Sequence, residues 1–132
     1  MIILEGIDGV GKTTVADFLS KKGYTTHHFL FDEKNQDIVE KYLRLLERNT
    51  DKMILDRCFI SELVYGPILR KQCKLSKKQL FNLLNRYRKI NPLVVYLKAN
   101  KEDILKRRKD DIADYSMLSE NFDVLNKRYD KV

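Results

Sequence analysis

Apolar residues along the chain fall into two alternating patterns. Short unbroken runs, Ile2-Ile3-Leu4, Met53-Ile54-Leu55 and the segment Pro92 to Leu97, have no polar face and read as buried strands. Tyr24 to Phe31, rich in aromatic and β-branched residues, reads as a further strand. Between these runs the spacing is helical. It predicts helices over 12–22, 36–49, 59–71, 76–89 and 100–109, and a last one from about Met117 marked by Leu118, Phe122, Leu125 and Tyr129. Gly23 suits a helix stop, Ser76 with Gln79 a capping box, and Asn100 an N-cap. Strands apolar on both faces and separated by helices predict an α/β fold, a parallel sheet with helices on both faces.

Composition narrows the class. A chain of 132 residues with 43% hydrophobic and 34% charged residues has the size of one domain, with a core beneath a charged surface. No apolar run approaches the ~20 residues of a membrane span, and Met1 to Leu4 lacks the flanks of a signal peptide. Cys58 and Cys73 have neither disulfide-framework nor metal-ligand spacing, so a reducing cytoplasm is expected. Twenty-six Lys and Arg against nineteen Asp and Glu leave +7, which favours polyanionic partners. Much of this charge is scattered; the denser clusters are Arg70-Lys71, Lys77-Lys78, Arg86 to Lys89 and Lys106 to Lys109.

One segment carries specific chemistry. Gly6-Ile7-Asp8-Gly9-Val10-Gly11-Lys12-Thr13 fits G-x-x-x-x-G-K-[ST], the phosphate loop, and lies where its physics requires, between a strand and a helix. Glycines at 6, 9 and 11 allow successive N–H groups to turn toward one concavity. The helix N-terminus behind them, through Lys12, Thr13 and Thr14, favours a phosphate. Lys12 can reach the outer phosphates, and the Thr13 hydroxyl can ligate Mg²⁺. A nucleoside triphosphate is the expected ligand.

Two further constellations fit that ligand. Asp56-Arg57 stands at the C-terminal end of an apolar strand, the end at which ligands of open α/β sheets sit. Asp56 suits Mg²⁺ and Arg57 a transferring phosphoryl group. Lys106-Arg107-Arg108-Lys109-Asp110-Asp111 closes a charged helix; it is either a solvated face or a lid, over about 106–116, that brings arginines over the phosphates. Arg107 and Arg108 diverge on a helix, so only one of them is expected to reach.

Together these residues resemble the thymidylate kinase family of P-loop phosphotransferases, especially its compact bacteriophage members. Leu4 to Thr14 is similar to that family's phosphate loop, Asp56-Arg57 to its Asp-Arg motif, Ser61 and Tyr65 to the serine and aromatic that follow, and Arg107-Arg108 to its lid. The resemblance implies a P-loop NTPase-type sheet of four parallel strands ordered 2-3-1-4, spanning 1–132 as a single kinase domain. ATP and Mg²⁺ would be the cofactors, held by Gly6, Asp8, Gly9, Val10, Gly11, Lys12, Thr13 and Thr14. Asp8, Arg57, Ser61 and Tyr65 would meet the acceptor. The chain departs from the family at Gly66, where Gln or Thr usually contacts the base. It is shorter between Lys12 and Asp56 than typical cellular members, and it stops where a fifth strand usually follows.

The expected reaction is ATP-dependent phosphorylation of a (deoxy)nucleoside monophosphate. A monophosphate needs clamps and no base, whereas an alcohol benefits from a carboxylate such as Asp8 or Asp56. A deoxynucleoside, or a hydroxymethylated pyrimidine within DNA, is therefore an alternative acceptor, the latter favoured by the +7 charge. A nucleotide-dependent binding module is the non-enzymatic alternative. No membrane partner is expected, and a homodimer is allowed. His27 and His28 read as a satisfied or exposed strand pair, Cys58 as a small buried residue, and Phe29, Phe31 and Tyr42 as core residues with base stacking as the lesser reading.

Overall fold

The computed structural model describes residues 1–28 and 38–132. Phe29 and Phe31 lie outside the described residues. Strands β1 (Ile2–Glu5), β2 (Thr25–His28), β3 (Met53–Asp56) and β4 (Leu93–Tyr96) form one parallel sheet in the order β2-β3-β1-β4, as expected. Leu4 lies opposite Asp56 on one side and Val95 on the other, so the C-terminal ends of β1 and β3 finish together. Helices α1 (Lys12–Ser20), α2 (Ile38–Leu46), α3 (Phe59–Leu69) and α4 (Lys77–Ile90) lie between the strands in sequence, and α5 (Lys101–Arg107) and α6 (Ile112–Tyr129) follow β4.

Strand alternation divides the core. Ile3, Met53 and Leu55 pack against Tyr42 and Leu45 of α2 and Leu83 and Tyr87 of α4. Phe59 meets Tyr42 and Tyr87 edge-on, at centroid distances of 5.7 and 5.1 Å. Tyr42 is therefore core, and stacking on a base is not open to it. Leu4 and Ile54 face the other way onto Ala16, Val15 and Leu19 of α1. Burying each such side chain contributes about 2 kcal/mol. A third cluster joins Ile7 and Val10 of the loop after β1 to Val64 and Tyr65 of α3, Ile104 of α5 and Leu118, Phe122, Leu125 and Tyr129 of α6. The loop is thereby tied to three helices.

The capping box of α4 forms as expected from Ser76 and Gln79. Pro67 sits inside α3 and withholds the N–H that Leu63 O would accept; Arg128 Nη1 donates to that carbonyl at 3.4 Å. Two expectations fail. β4 is not buried on both faces: it lies at the sheet edge, with Leu93 61% and Val94 48% exposed. The last helix begins at Ile112, not Met117, because Asp111 caps it by accepting from Asp114 N at 3.1 Å. Its first turn exposes Ile112 and Tyr115, so hydrophobic periodicity carries no sign of it. No helix among the described residues is long and apolar enough to cross a membrane.

Candidate active site

The loop between β1 and α1 owes its path to close backbone approach. A Cβ on Gly6, at φ 142°, would stand 2.5 Å from Leu97 O, so β4 and the loop meet only across a glycine. Gly11, at φ 105°, caps α1 in the left-handed region. Helix geometry leaves the N–H groups of Lys12, Thr13 and Thr14 without intrahelical acceptors, and they face the loop.

A buried carboxylate forms the floor. Glu5, ending β1, accepts from Cys58 N at 2.8 Å, from Ser61 Oγ at 2.5 Å and from Tyr129 Oη at 3.2 Å. It ties β1, the start of α3 and the end of α6 to one point. Ser61 is fully buried with its hydroxyl held between Glu5 and Tyr129, 3.0 Å from the latter. It does not line the cleft, so the expected acceptor contact gives way to a positioning role. Cys58 is likewise buried and caps α3, accepting from Ile60 N; burial pushes its thiol well above the ordinary range.

The catalytic candidates meet above this floor. Lys12 is 6% exposed and donates to Gly6 O at 2.8 Å and Ile7 O at 3.0 Å. Burial lowers its ammonium to about 8; Asp56 and Glu5 oppose that shift and Arg108 adds to it. Arg57 adopts φ 72°, costly for a residue with a Cβ, while its N–H donates to Leu4 O at 3.0 Å. That turn lays its guanidinium over the Tyr65 ring, 4.9 Å from the centroid, and in an ion pair with Asp8. Tyr65 Oη accepts from Asp8 N at 3.0 Å; burial raises this phenol to about 12, with Arg57 opposing.

A cleft of about 1200 Å³ opens over these groups. Asp8, Gly9, Val10, Gly11, Lys12, Thr13 and Thr14 line it with Asp56, Arg57, Tyr65, Arg107 and Arg108. Both lid arginines line it, because α5 ends at Arg107 and Arg108 is its C-cap; the expectation concerned the phosphates, where one was to reach. Arg107 Nη1 donates to Gly9 O at 3.0 Å, and Arg108 pairs with Asp114 at 3.5 Å.

Several lining residues had no role in the sequence reading. His28, read there as a bland strand residue, holds Asp56 Oδ2 through Nδ1 at 2.9 Å and lines the cleft. Arg70, Asp114 and Met117 line it too. For Glu5 the signal was a charged residue closing a buried strand; for His28 and Arg70 no local pattern existed.

Among the described residues, Asp56 marks a candidate place for a divalent cation. Asp56 Oδ1 is buried with no hydrogen-bond partner among the described residues, close to the loop. No cluster of three or more protein ligands occurs among the described residues. One carboxylate, the Thr13 hydroxyl and phosphate oxygens are the donor set that suits Mg²⁺.

The four-stranded parallel sheet, its phosphate loop and the cations over it define a P-loop kinase-type fold. No family model matches the sequence. The crystal structure of the YorR protein from Bacillus subtilis, in complex with phosphorylated GDP, superposes with a TM-score of 0.79 and 30% identity, covering 98% of this chain and 77% of that one. The chain belongs to the family of that protein. A deoxyadenosine kinase from M. mycoides, with dCMP and dCDP bound, shares the fold at TM-score 0.56 and 19% identity, covering 98% and 80%. A nucleotide-binding protein of Thermotoga neapolitana is 31% identical over 108 residues, 81% of this chain and 33% of that protein. One of Thermotoga petrophila is 29% identical over 109. The chain spans about a third of the length of these curated relatives.

Proposed function

We propose that this protein is a kinase transferring the terminal phosphoryl group of ATP to a (deoxy)nucleoside monophosphate, a reaction of the thymidylate kinase type. The observation that carries this reading is the convergence of Lys12, Arg57, Arg107 and Arg108 on one cleft, at the end of the sheet where Asp56 stands. Phosphoryl transfer asks for positioning and charge neutralisation more than for covalent chemistry. In this reading the loop N–H groups and Lys12 hold the donor's outer phosphates, and Arg57 holds the acceptor phosphate. Arg107 and Arg108, in the segment 106–116, close over the transferring group and exclude water. An acceptor phosphate oxygen then forms a bond to the terminal phosphorus as the bond to the leaving ADP oxygen breaks. Asp56 and Thr13 would hold Mg²⁺, which supplies charge neutralisation at the phosphates.

The YorR protein's complex with phosphorylated GDP supports a nucleotide substrate. One observation favours a second reading: His28 fixes Asp56 in the cleft, where a carboxylate serves an alcohol acceptor such as a deoxynucleoside. Transfer from labelled ATP, screened over nucleoside monophosphates, deoxynucleosides and hydroxymethylated DNA, separates these. Label entering monophosphates supports the first reading. Label entering only deoxynucleosides or DNA replaces it, and no transfer with intact ATP binding leaves a nucleotide-dependent binding module.

A further inference from the structure

Beyond Tyr65 the cleft is bounded by the last turn of α3, where Leu69 and Arg70 line it opposite Met117 of α6. Arg70 is not a loosely placed surface cation. Its Nη2 donates to both carboxylate oxygens of Glu62 at 2.5 Å, and Glu62 is fully buried. Lys74 N donates to the same carboxylate at 2.6 Å, so the chain just after α3 helps to fix it. Arg70 Nε is buried without a hydrogen-bond partner among the described residues. Gly66 makes room for this pair: a Cβ there would lie 2.8 Å from Glu62 Oε1 and 3.1 Å from Arg70 Nη2.

Arg70 lines the same cleft as Arg57. The guanidinium of Arg57 lies over Tyr65, and that of Arg70 folds back beside Gly66, the next residue of α3, where its Nη2 would stand 3.1 Å from a Cβ. A nucleotide whose phosphate sits on Arg57 would meet Leu69, Met117 and Arg70 within the same cleft. A guanidinium only donates. With Nη2 on Glu62 and Nε buried, Nη1 is left to offer fixed N–H groups to a base carbonyl oxygen and to repel the hydrogens of an exocyclic amine.

Resting on the kinase reading above, we propose that Arg70 reads the acceptor's base and selects those with an oxo group, guanine O6 or thymine and uracil O4, where adenine and cytosine carry an amine. Glu62 is its positioning residue.

Calorimetric titration of the wild-type chain with dGMP, dTMP, dAMP and dCMP, beside initial transfer rates to each, tests this. The oxo nucleotides bind and react about tenfold better, in KM and not in kcat, as expected for one well-made charged contact to a base edge. Arg70→Lys keeps a charge beside Glu62 but loses the planar fork, and it removes most of that preference through KM. Should that variant fail to fold, the double variant Glu62→Gln with Arg70→Gln replaces the ion pair by neutral amides and is expected to lose the preference too. Equal or tighter binding of dAMP and dCMP by wild type, or an unchanged preference in the folded variant, overturns the assignment. Oxo-selective binding without transfer to any acceptor would instead sink the kinase reading and leave Arg70 as the base reader.

Discussion

At the phosphate end of the cleft, Lys12 and Arg57 are set by backbone: the loop after β1, the N-terminus of α1 and the left-handed turn after β3. At the acceptor end, Arg70 is set by another side chain, the buried carboxylate of Glu62. The first arrangement is stiff because parallel strands fix where the loop and Arg57 emerge. The second can be re-chosen by a few substitutions on one helix, and that suits a site that must discriminate among bases. On the proposed kinase reading, charge recognition belongs to the sheet and base recognition to the end of α3.

The sharpest way to break this comparison lies at the phosphate end. Lys12→Ala is expected to reduce phosphoryl transfer about 10²–10³-fold for every acceptor, measured by initial rates, with circular dichroism unchanged. Acceptor-dependent losses would show that the two ends are one unit. Glu5→Ala comes next. It strips the acceptor from Cys58 N, Ser61 Oγ and Tyr129 Oη together and should cost about 3 kcal/mol in urea unfolding. A loss below 1 kcal/mol would mean that the floor is not held by this carboxylate.

Gly66→Ala probes the other end. Crowding of the Glu62–Arg70 pair should cost about 2 kcal/mol of stability and raise the acceptor KM severalfold with the ATP KM unchanged. An equal rise in both would erase the division. The remaining effect is one of pH. With its ammonium lowered to about 8, Lys12 loses its proton as pH climbs past 8, so ATP affinity falls about tenfold over the next one to two units, with proton uptake on binding. Calorimetry in buffers of different ionisation enthalpy reads this, while the base preference stays flat. For stability the sign is opposite. The cost of burying charged Lys12 is full below about 8 and is relieved between 8 and the ordinary 10.5.

Features set by neighbours in sequence were legible before the fold was known. The strand–glycine–helix passage from Ile2 to Ser20 and the box at Ser76 are of this kind, whereas the sheet order came only through the family resemblance. What failed depended on distant partners. Ser61 follows Arg57 closely, yet Glu5 and Tyr129, far away in the chain, decide that it turns inward. The uniform apolarity of Leu93 to Leu97 did not reveal that β4 lies at an edge. Divergence of Arg107 and Arg108 assumed a helix that in fact stops between them. Glu62 and Arg70 are eight residues apart, a spacing without meaning until the chain turns back after α3.

The cations of the phosphate end hold resident partners supplied by the chain itself: Lys12 two carbonyls, Arg57 the Asp8 carboxylate, Arg107 the Gly9 carbonyl. An arriving polyphosphate therefore exchanges bonds and does not meet bare charge. Its affinity is the difference between bonds made and bonds released, and that difference grows with the number of partners displaced at once. Inorganic phosphate or sulfate can displace one and gains little, whereas a triphosphate spans the loop and displaces several. Internal pairing in this way makes a basic cleft indifferent to the small anions around it and responsive to the length of a phosphate chain.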